Sequence, residues 1–324
     1  MPVNDVDRRT LIAGSAAALG LAVVARPARA AIPEGFERFA LWPGEAPGGE
    51  HVTVTEAEVP RSPNGPKTDT AFTHVTRPTL TVLRPQRPNG AALLLIPGGG
   101  YRRVAIGHEG YAIARRFAEA GFTCFILLYR LPADGWAAGH TAPLQDAQRG
   151  LRLIRQRAGG YGLDPEKTGV IGFSAGGHLA AWLATHAHVE SYHAIDAADA
   201  LSARPKVAGL LYPVILMEGA HVHRGSREQL LGAAPSPESL RACAMDTGVT
   251  AATPPTFLAH ALDDSVVPPE NSLAMLESLR RAGIPAECHL LETGGHGFGL
   301  SLPDRTPSPW PELFRGFAAR HGLA

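Results

Sequence analysis

Cysteine is scarce in this chain: Cys124, Cys243 and Cys288 are the only three in 324 residues, and none forms a Cys-x-x-Cys spacing. An odd count without that spacing points away from a disulfide framework and from a zinc site. Cys124 and Cys288 lie inside apolar runs and are expected to pack as small buried hydrophobes. Surplus charge is also missing. Thirty Lys and Arg balance thirty Asp and Glu, which leaves no basic footprint for nucleic acid or acidic polymers. Beyond the N-terminus no apolar run is long enough to cross a bilayer, and no internal repeat occurs. What is present is ordinary globular composition, 45% hydrophobic and 19% charged, in enough chain to bury one large core.

The N-terminus stands apart. Arg8-Arg9 precedes an apolar run over residues 11–25, which leads to Ala28-Arg29-Ala30, an A-x-A cleavage pattern. Residues 1–30 therefore read as a signal peptide, and Arg8-Arg9-Thr10-Leu11-Ile12 indicates the twin-arginine type. This predicts a periplasmic or secreted location, with residues 31–324 as a single domain free of the membrane after cleavage. At about fifteen residues the run is short of the roughly twenty that a spanning helix needs. An uncleaved N-terminal anchor is the alternative.

From residue 32 to about 87 the chain is rich in Pro and Gly, with alternating stretches at 51–58 and 79–84. These predict antiparallel strands wrapping one edge of a sheet. From residue 91 strands and helices alternate. Short Ile-, Leu- and Val-rich runs at 91–96, 123–129, 168–173, 207–212, 256–261 and 286–291 suit strands covered on both faces. Helical spacing occupies 111–120, 143–157, 175–186 and 270–283, with Pro143 at one helix start and Gly283 at one helix end. The expected fold is α/β: a mostly parallel central sheet with helices on both faces. Residues 217–249 interrupt the alternation with short helical pieces and predict a small cap or none.

Gly172-Phe173-Ser174-Ala175-Gly176 falls where the strand at 168–173 turns into a helix. A strand-to-helix bend around G-x-S-x-G exposes the serine and aims the first helical N–H groups at the same point. An exposed nucleophile beside a donor for developing oxyanion charge is what acyl transfer needs. A serine hydroxyl also needs a base. Among fourteen histidines, His296 in Gly294-Gly295-His296-Gly297-Phe298 follows the last strand on a glycine-rich loop at the same sheet edge. The acid comes from Asp263-Asp264, just past the strand at 256–261; the distance to Pro268 favours Asp264, with Asp263 as its solvated or supporting neighbour. Serine, acid, histidine is the chain order of α/β-hydrolases. Gly98-Gly99-Gly100 follows the strand at 91–96, so Gly99, Gly100 and Ala175 are the expected oxyanion donors. Tyr101 and Arg102 border that turn as candidates to line the pocket. His178, Asp146 and Arg130 are read as structural, and His186, His188, His193, His221 and His223 as solvated residues rather than metal ligands. No metal or cofactor is expected.

These segments resemble the bacterial acetyl esterase branch of the α/β-hydrolase superfamily, which includes acetylxylan esterases. The matching residues are Pro97-Gly98-Gly99-Gly100-Tyr101, His108-Glu109-Gly110, Tyr129-Arg130-Leu131-Pro132, Pro143-Leu144-Gln145-Asp146-Ala147, Gly172–Leu179, Tyr212-Pro213, Pro254–Leu258, Asp263-Asp264 and Gly295–Phe298. Pro97 stands where esterases with an HGGG loop carry histidine. The resemblance implies a Ser174, Asp264, His296 triad in a serine ester hydrolase. It further implies removal of acetyl groups from plant cell-wall saccharides such as xylan, with an acylated saccharide or small ester as substrate. A serine peptidase on the same fold and a non-catalytic saccharide-binding protein are the competing expectations.

Overall fold

Strand order, not strand count, decides where a ligand can sit in this protein. The computed structural model describes residues 32–324, which form one compact unit. The expected signal peptide lies outside the described residues. In chain order the strands and helices are β1 (Phe36–Ala40), β2 (Ala57–Pro60), β3 (Thr70–Thr73), β4 (Thr79–Leu83), β5 (Ala92–Ile96), α1 (Ala112–Glu119) and β6 (Thr123–Leu128). They continue with α2 (Ala142–Tyr161), β7 (Thr168–Phe173), α3 (Ala175–Thr185), β8 (Ala208–Leu211), α4 (Arg224–Leu231) and α5 (Pro237–Ala242). The last are β9 (Thr256–Ala261), α6 (Glu270–Arg281), β10 (Ala286–Leu291) and α7 (Trp310–Arg320).

Eight strands form one sheet in the order β1-β4-β6-β5-β7-β8-β9-β10. The pairs β1–β4 and β4–β6 are antiparallel and all the others parallel. Every residue of β5, β6, β7 and β9 is buried, as the unbroken apolar runs require. The chain winds from β5 to β6 in one direction, then crosses back over β5 to β7 and continues outward. Right-handed crossovers in opposite directions put α1 and α2 on opposite faces. Between β5 and β7 the winding reverses, and the crevice beyond their C-terminal ends is where open α/β sheets bind ligands. The turns that leave β5 and β7 carry Gly98–Gly100 and Ser174.

Several expectations need correction. The stretch 51–56 alternates but is not a strand, because no sheet edge is offered to it; Glu56 instead accepts the N–H groups of Thr76 and Arg77 at 2.9 and 3.0 Å. β2 and β3 form their own two-stranded sheet, while β1 and β4 extend the main one. The helix α7 is absent from the sequence expectations, although Trp310, Phe314 and Phe317 recur at helical spacing; all three are buried, and Phe117 of α1 packs on the first two. Cys124 is buried, but Cys288 on the edge strand β10 is only half-buried, and Cys243 is the second buried thiol. Residues 217–249 carry only α4 and α5, a small cap.

Arg130 and Asp146 do form a structural pair. Both are fully buried, 2.9 Å apart, and Asp146 also accepts the Arg130 N–H at 2.8 Å and the Trp42 indole N–H at 2.9 Å. Arg130 reaches the Pro47 carbonyl at 2.7 Å and Gln145 at 2.9 Å. This density of partners is what a buried charge pair needs to persist. The network fixes the start of α2 against the segment that leaves β6.

Candidate active site

The bend after β7 is as tight as its glycines suggest. Ser174 has φ 53°, a left-handed conformation that costs a non-glycine residue energy and persists where the surroundings enforce it. Its N–H donates to the Leu211 carbonyl at 3.0 Å, and its carbonyl accepts from His178 and Val214, both at 3.1 Å. A Cβ on Gly172 would lie 2.2 Å from the Gly176 carbonyl oxygen, and one on Gly176 2.2 Å from that of Ile96. Neither position admits a side chain. β7 and α3 therefore meet closely enough to push the Ser174 hydroxyl above the sheet end.

Two loops from distant sequence reach that hydroxyl. His296 Nε2 lies 2.8 Å from Ser174 Oγ, and its Nδ1 lies 2.7 Å from Asp264 Oδ2. Asp264 is buried, with Oδ1 accepting the N–H groups of Val266 and Val267, both at 2.9 Å. His260, fully buried on β9, adds a contact of 3.2 Å to Oδ2 and one of 2.9 Å to the Val267 carbonyl. Burial acts to raise the Asp264 pKa, but hydrogen bonds from His260 and His296 outweigh it and hold the carboxyl well below the usual range. An ionised acid keeps the proton of His296 on Nδ1 and leaves Nε2 free to accept one from the serine. Asp263 acts elsewhere, its carboxylate accepting the Gly295 N–H at 2.8 Å and so holding the histidine loop.

The glycine turn after β5 faces the same hydroxyl. Gly99 and Gly100 have φ of 128° and 67°, and a Cβ on Gly98 would lie 2.9 Å from Ser174 Cβ. The N–H groups of Gly99, Gly100 and Ala175 make no hydrogen bond within the described residues. The Gly98 N–H does: it donates to Glu109 Oε2 at 2.7 Å. Glu109 is buried in a π-helical turn, Gly107–Tyr111, and its Oε1 accepts the Tyr212 hydroxyl at 3.1 Å. The Tyr212 ring in turn packs edge-on to His296 at 5.2 Å. His108, in the same turn, lies 2.9 Å from the Gly297 carbonyl and donates to it. One short turn thus braces both the glycine loop and the histidine loop.

The structure brings Ser174, His296, Asp264, Gly99, Gly100 and Ala175 together, and separates Tyr101 from them. With φ 59° the backbone turns the Tyr101 ring inward; it is fully buried, its hydroxyl donating to His178 Nδ1 at 2.7 Å. Tyr101 is therefore a packing residue and not a pocket wall. Arg102 is exposed. His178 donates from Nε2 to the Cys243 carbonyl at 2.8 Å, and burial pushes its pKa down to about 4. Sequence reasoning misses the site roles of Glu109, His108, His260 and Tyr212. A polar residue inside an apolar strand (His260) and a carboxylate in an apolar turn (Glu109) are the available signals. His223, read as solvated, is half-buried and caps α4. Among the described residues no cluster of three or more His, Cys, Asp or Glu is placed to hold a metal ion. No described helix is long and apolar enough to cross a membrane.

Comparison with known proteins shows the family and the fold. The BD-FAE family model matches residues 82–279, more than half of the chain. The chain is 38% identical over 209 residues to an endo-1,4-beta-xylanase B of Butyrivibrio fibrisolvens, covering 64% of this chain and 32% of that protein. It is 32% identical over 220 residues to an acetylxylan esterase of Xylanibacter ruminicola, covering 67% and 42% respectively. The chain thus spans less than half the length of these two curated relatives. Among solved structures, an acetyl ester-xyloside bifunctional hydrolase from Caldicellulosiruptor lactoaceticus superposes with a TM-score of 0.71 at 31% identity. That match covers 91% of this chain and 99% of the other.

Proposed function

The chain belongs to the BD-FAE family of α/β-hydrolases, and we propose that it is a serine carboxylesterase removing short acyl groups, chiefly acetyl, from plant cell-wall saccharides. The observation that carries this reading is the unbroken hydrogen-bond line from Asp264 through His296 to Ser174. Ser174 Oγ attacks the ester carbonyl carbon while its proton passes to His296 Nε2. The oxyanion rests on the N–H groups of Gly99, Gly100 and Ala175, which have no competing acceptor among the described residues. As the tetrahedral intermediate collapses, the bond from the acyl carbon to the alcohol oxygen breaks, and His296 returns its proton to that oxygen. Water then attacks the acyl-serine with its proton going to His296, and the serine regains a proton as the carboxylic acid departs. Asp264 stays ionised and stabilises the imidazolium in both halves.

The saccharide part of the reading is supported by the named activities of the relatives, which include acetylxylan esterase and acetyl ester-xyloside hydrolase. Export is supported by the N-terminal Arg8-Arg9 pair, apolar run and Ala28-Arg29-Ala30. Acetate release is to be measured across acetylated xylan, pectin, mannan and free sugar acetates, with 4-nitroanilide peptides alongside. The reading predicts acetate from acetylated xylan or its oligosaccharides and no peptide cleavage. Peptide cleavage without acetate release would replace it with a peptidase. Fractionation of a producing bacterium, with mass spectrometry of the mature N-terminus, tests export; a full-length cytoplasmic protein would contradict it.

A further inference from the structure

His223 is a histidine beside the site that the proposed chemistry does not use. It precedes α4, where its Nδ1 accepts the Ser226 N–H at 3.2 Å and lies 2.8 Å from Ser226 Oγ. An N–H can only donate, so Nδ1 is the accepting nitrogen, and the neutral ring carries its proton on Nε2. That Nε2–H has no hydrogen-bond partner among the described residues. Burial, and after it the charge of His296, hold the His223 pKa below its ordinary value, with Asp264 opposing them. The neutral ring thus carries an N–H donor at the start of α4.

Its position is fixed from two directions. Ser226 is fully buried, and its Oγ lies 3.8 Å from the point a Cβ on Gly100 would occupy, so the start of α4 packs on the glycine turn. The strap that carries His223 is tied to α6, the helix after the acid loop. Fully buried Asn271 accepts the N–H groups of Ile215 and Leu216, both at 2.9 Å, and donates to the His221 carbonyl at 2.9 Å. The proposed chemistry assigns the three free N–H groups of Gly99, Gly100 and Ala175 to the acyl oxygen, so the alcohol half of the ester is what remains for a further donor.

We infer that His223 is a specificity residue of this same site, whose Nε2–H donates to a second oxygen of the leaving group, a neighbouring hydroxyl or a ring oxygen. The inference rests on the esterase reading above. It follows that polyol acetates are favoured over esters whose alcohol carries no hydroxyl or ring oxygen next to the ester bond.

The test compares kcat/KM for acetylated xylobiose with kcat/KM for 4-nitrophenyl acetate in the parent protein, His223→Asn and His223→Gln. Asparagine can still accept the Ser226 N–H as a helix cap but is too short to place a donor where Nε2 stands. Glutamine presents an amide N–H nearer that point. Both esters are assayed on one sample, so the ratio is independent of the fraction folded. The saccharide-to-aryl ratio should fall about five- to tenfold in His223→Asn, the loss of one neutral hydrogen bond, and recover in part in His223→Gln. An unchanged ratio, or equal losses on both esters, overturns the inference. A parent protein inactive on both esters overturns the esterase reading, and the inference with it.

Discussion

Glu109 accepts the backbone N–H of Gly98 at 2.7 Å, 11 residues away in sequence, and the glycine turn above Ser174 is held by that contact. The second carboxylate oxygen takes the Tyr212 hydroxyl, and Tyr212 packs on His296. A buried carboxylate is an acceptor at both oxygens, which suits two donors arriving from opposite sides.

Glu109→Gln keeps the shape but turns one acceptor into a donor, so either Gly98 or Tyr212 faces an N–H group. A buried donor left unpaired costs about 1–3 kcal/mol. If the loss falls on the transition state, kcat on 4-nitrophenyl acetate drops about 10- to 100-fold with KM little changed. Steady-state kinetics reads the split; a rise in KM alone would show that the turn is held by other contacts.

Asp263 and Asp264 are neighbours with separable roles. Asp264→Asn leaves the geometry but disturbs the His296 tautomer, and kcat is expected to fall about 10⁴-fold. Asp263→Asn weakens one exposed hydrogen bond to Gly295 and should cost less than about tenfold. Equal losses in the two variants would contradict the assignment of Asp264 as the partner of His296.

His178 sets an acid limit on stability. Its folded pKa lies near 4, against about 6.5 in an unfolded chain. The unfolded state therefore binds the proton first, and stability is lost as pH falls from about 6.5 to 4, by about 3 kcal/mol in all. Above pH 6.5 the ring contributes no pH dependence. Urea unfolding at pH 7 and pH 4.5 should show this loss in the parent and a smaller one in His178→Gln. Identical pH dependence in the two proteins would contradict it.

Much of this was legible in the sequence because it is local. The six parallel strands announce themselves as apolar runs, and G-x-S-x-G marks a bend at whose glycines a Cβ would lie 2.2 Å from a neighbouring carbonyl oxygen. Chain order, together with a glycine-rich loop just after the last strand, picks His296 from fourteen histidines. The supporting residues were hidden because their partners are remote: His108 meets Gly297 and Glu109 meets Tyr212 across more than a hundred positions. Tyr101 misled for the same reason. Its place beside the glycine turn suggested a pocket wall, whereas a left-handed φ turns the ring into the core.

Ser174 as a nucleophile activated by His296 is tested most directly by a fluorophosphonate probe and intact-protein mass spectrometry. One adduct per chain is predicted, mapped by peptide analysis to Ser174, absent in Ser174→Ala and slowed by orders of magnitude in His296→Ala. Turnover of 4-nitrophenyl acetate should fall about 10⁶-fold in Ser174→Ala. An adduct on another residue, or a Ser174→Ala protein that hydrolyses the ester near the parental rate, would contradict the account.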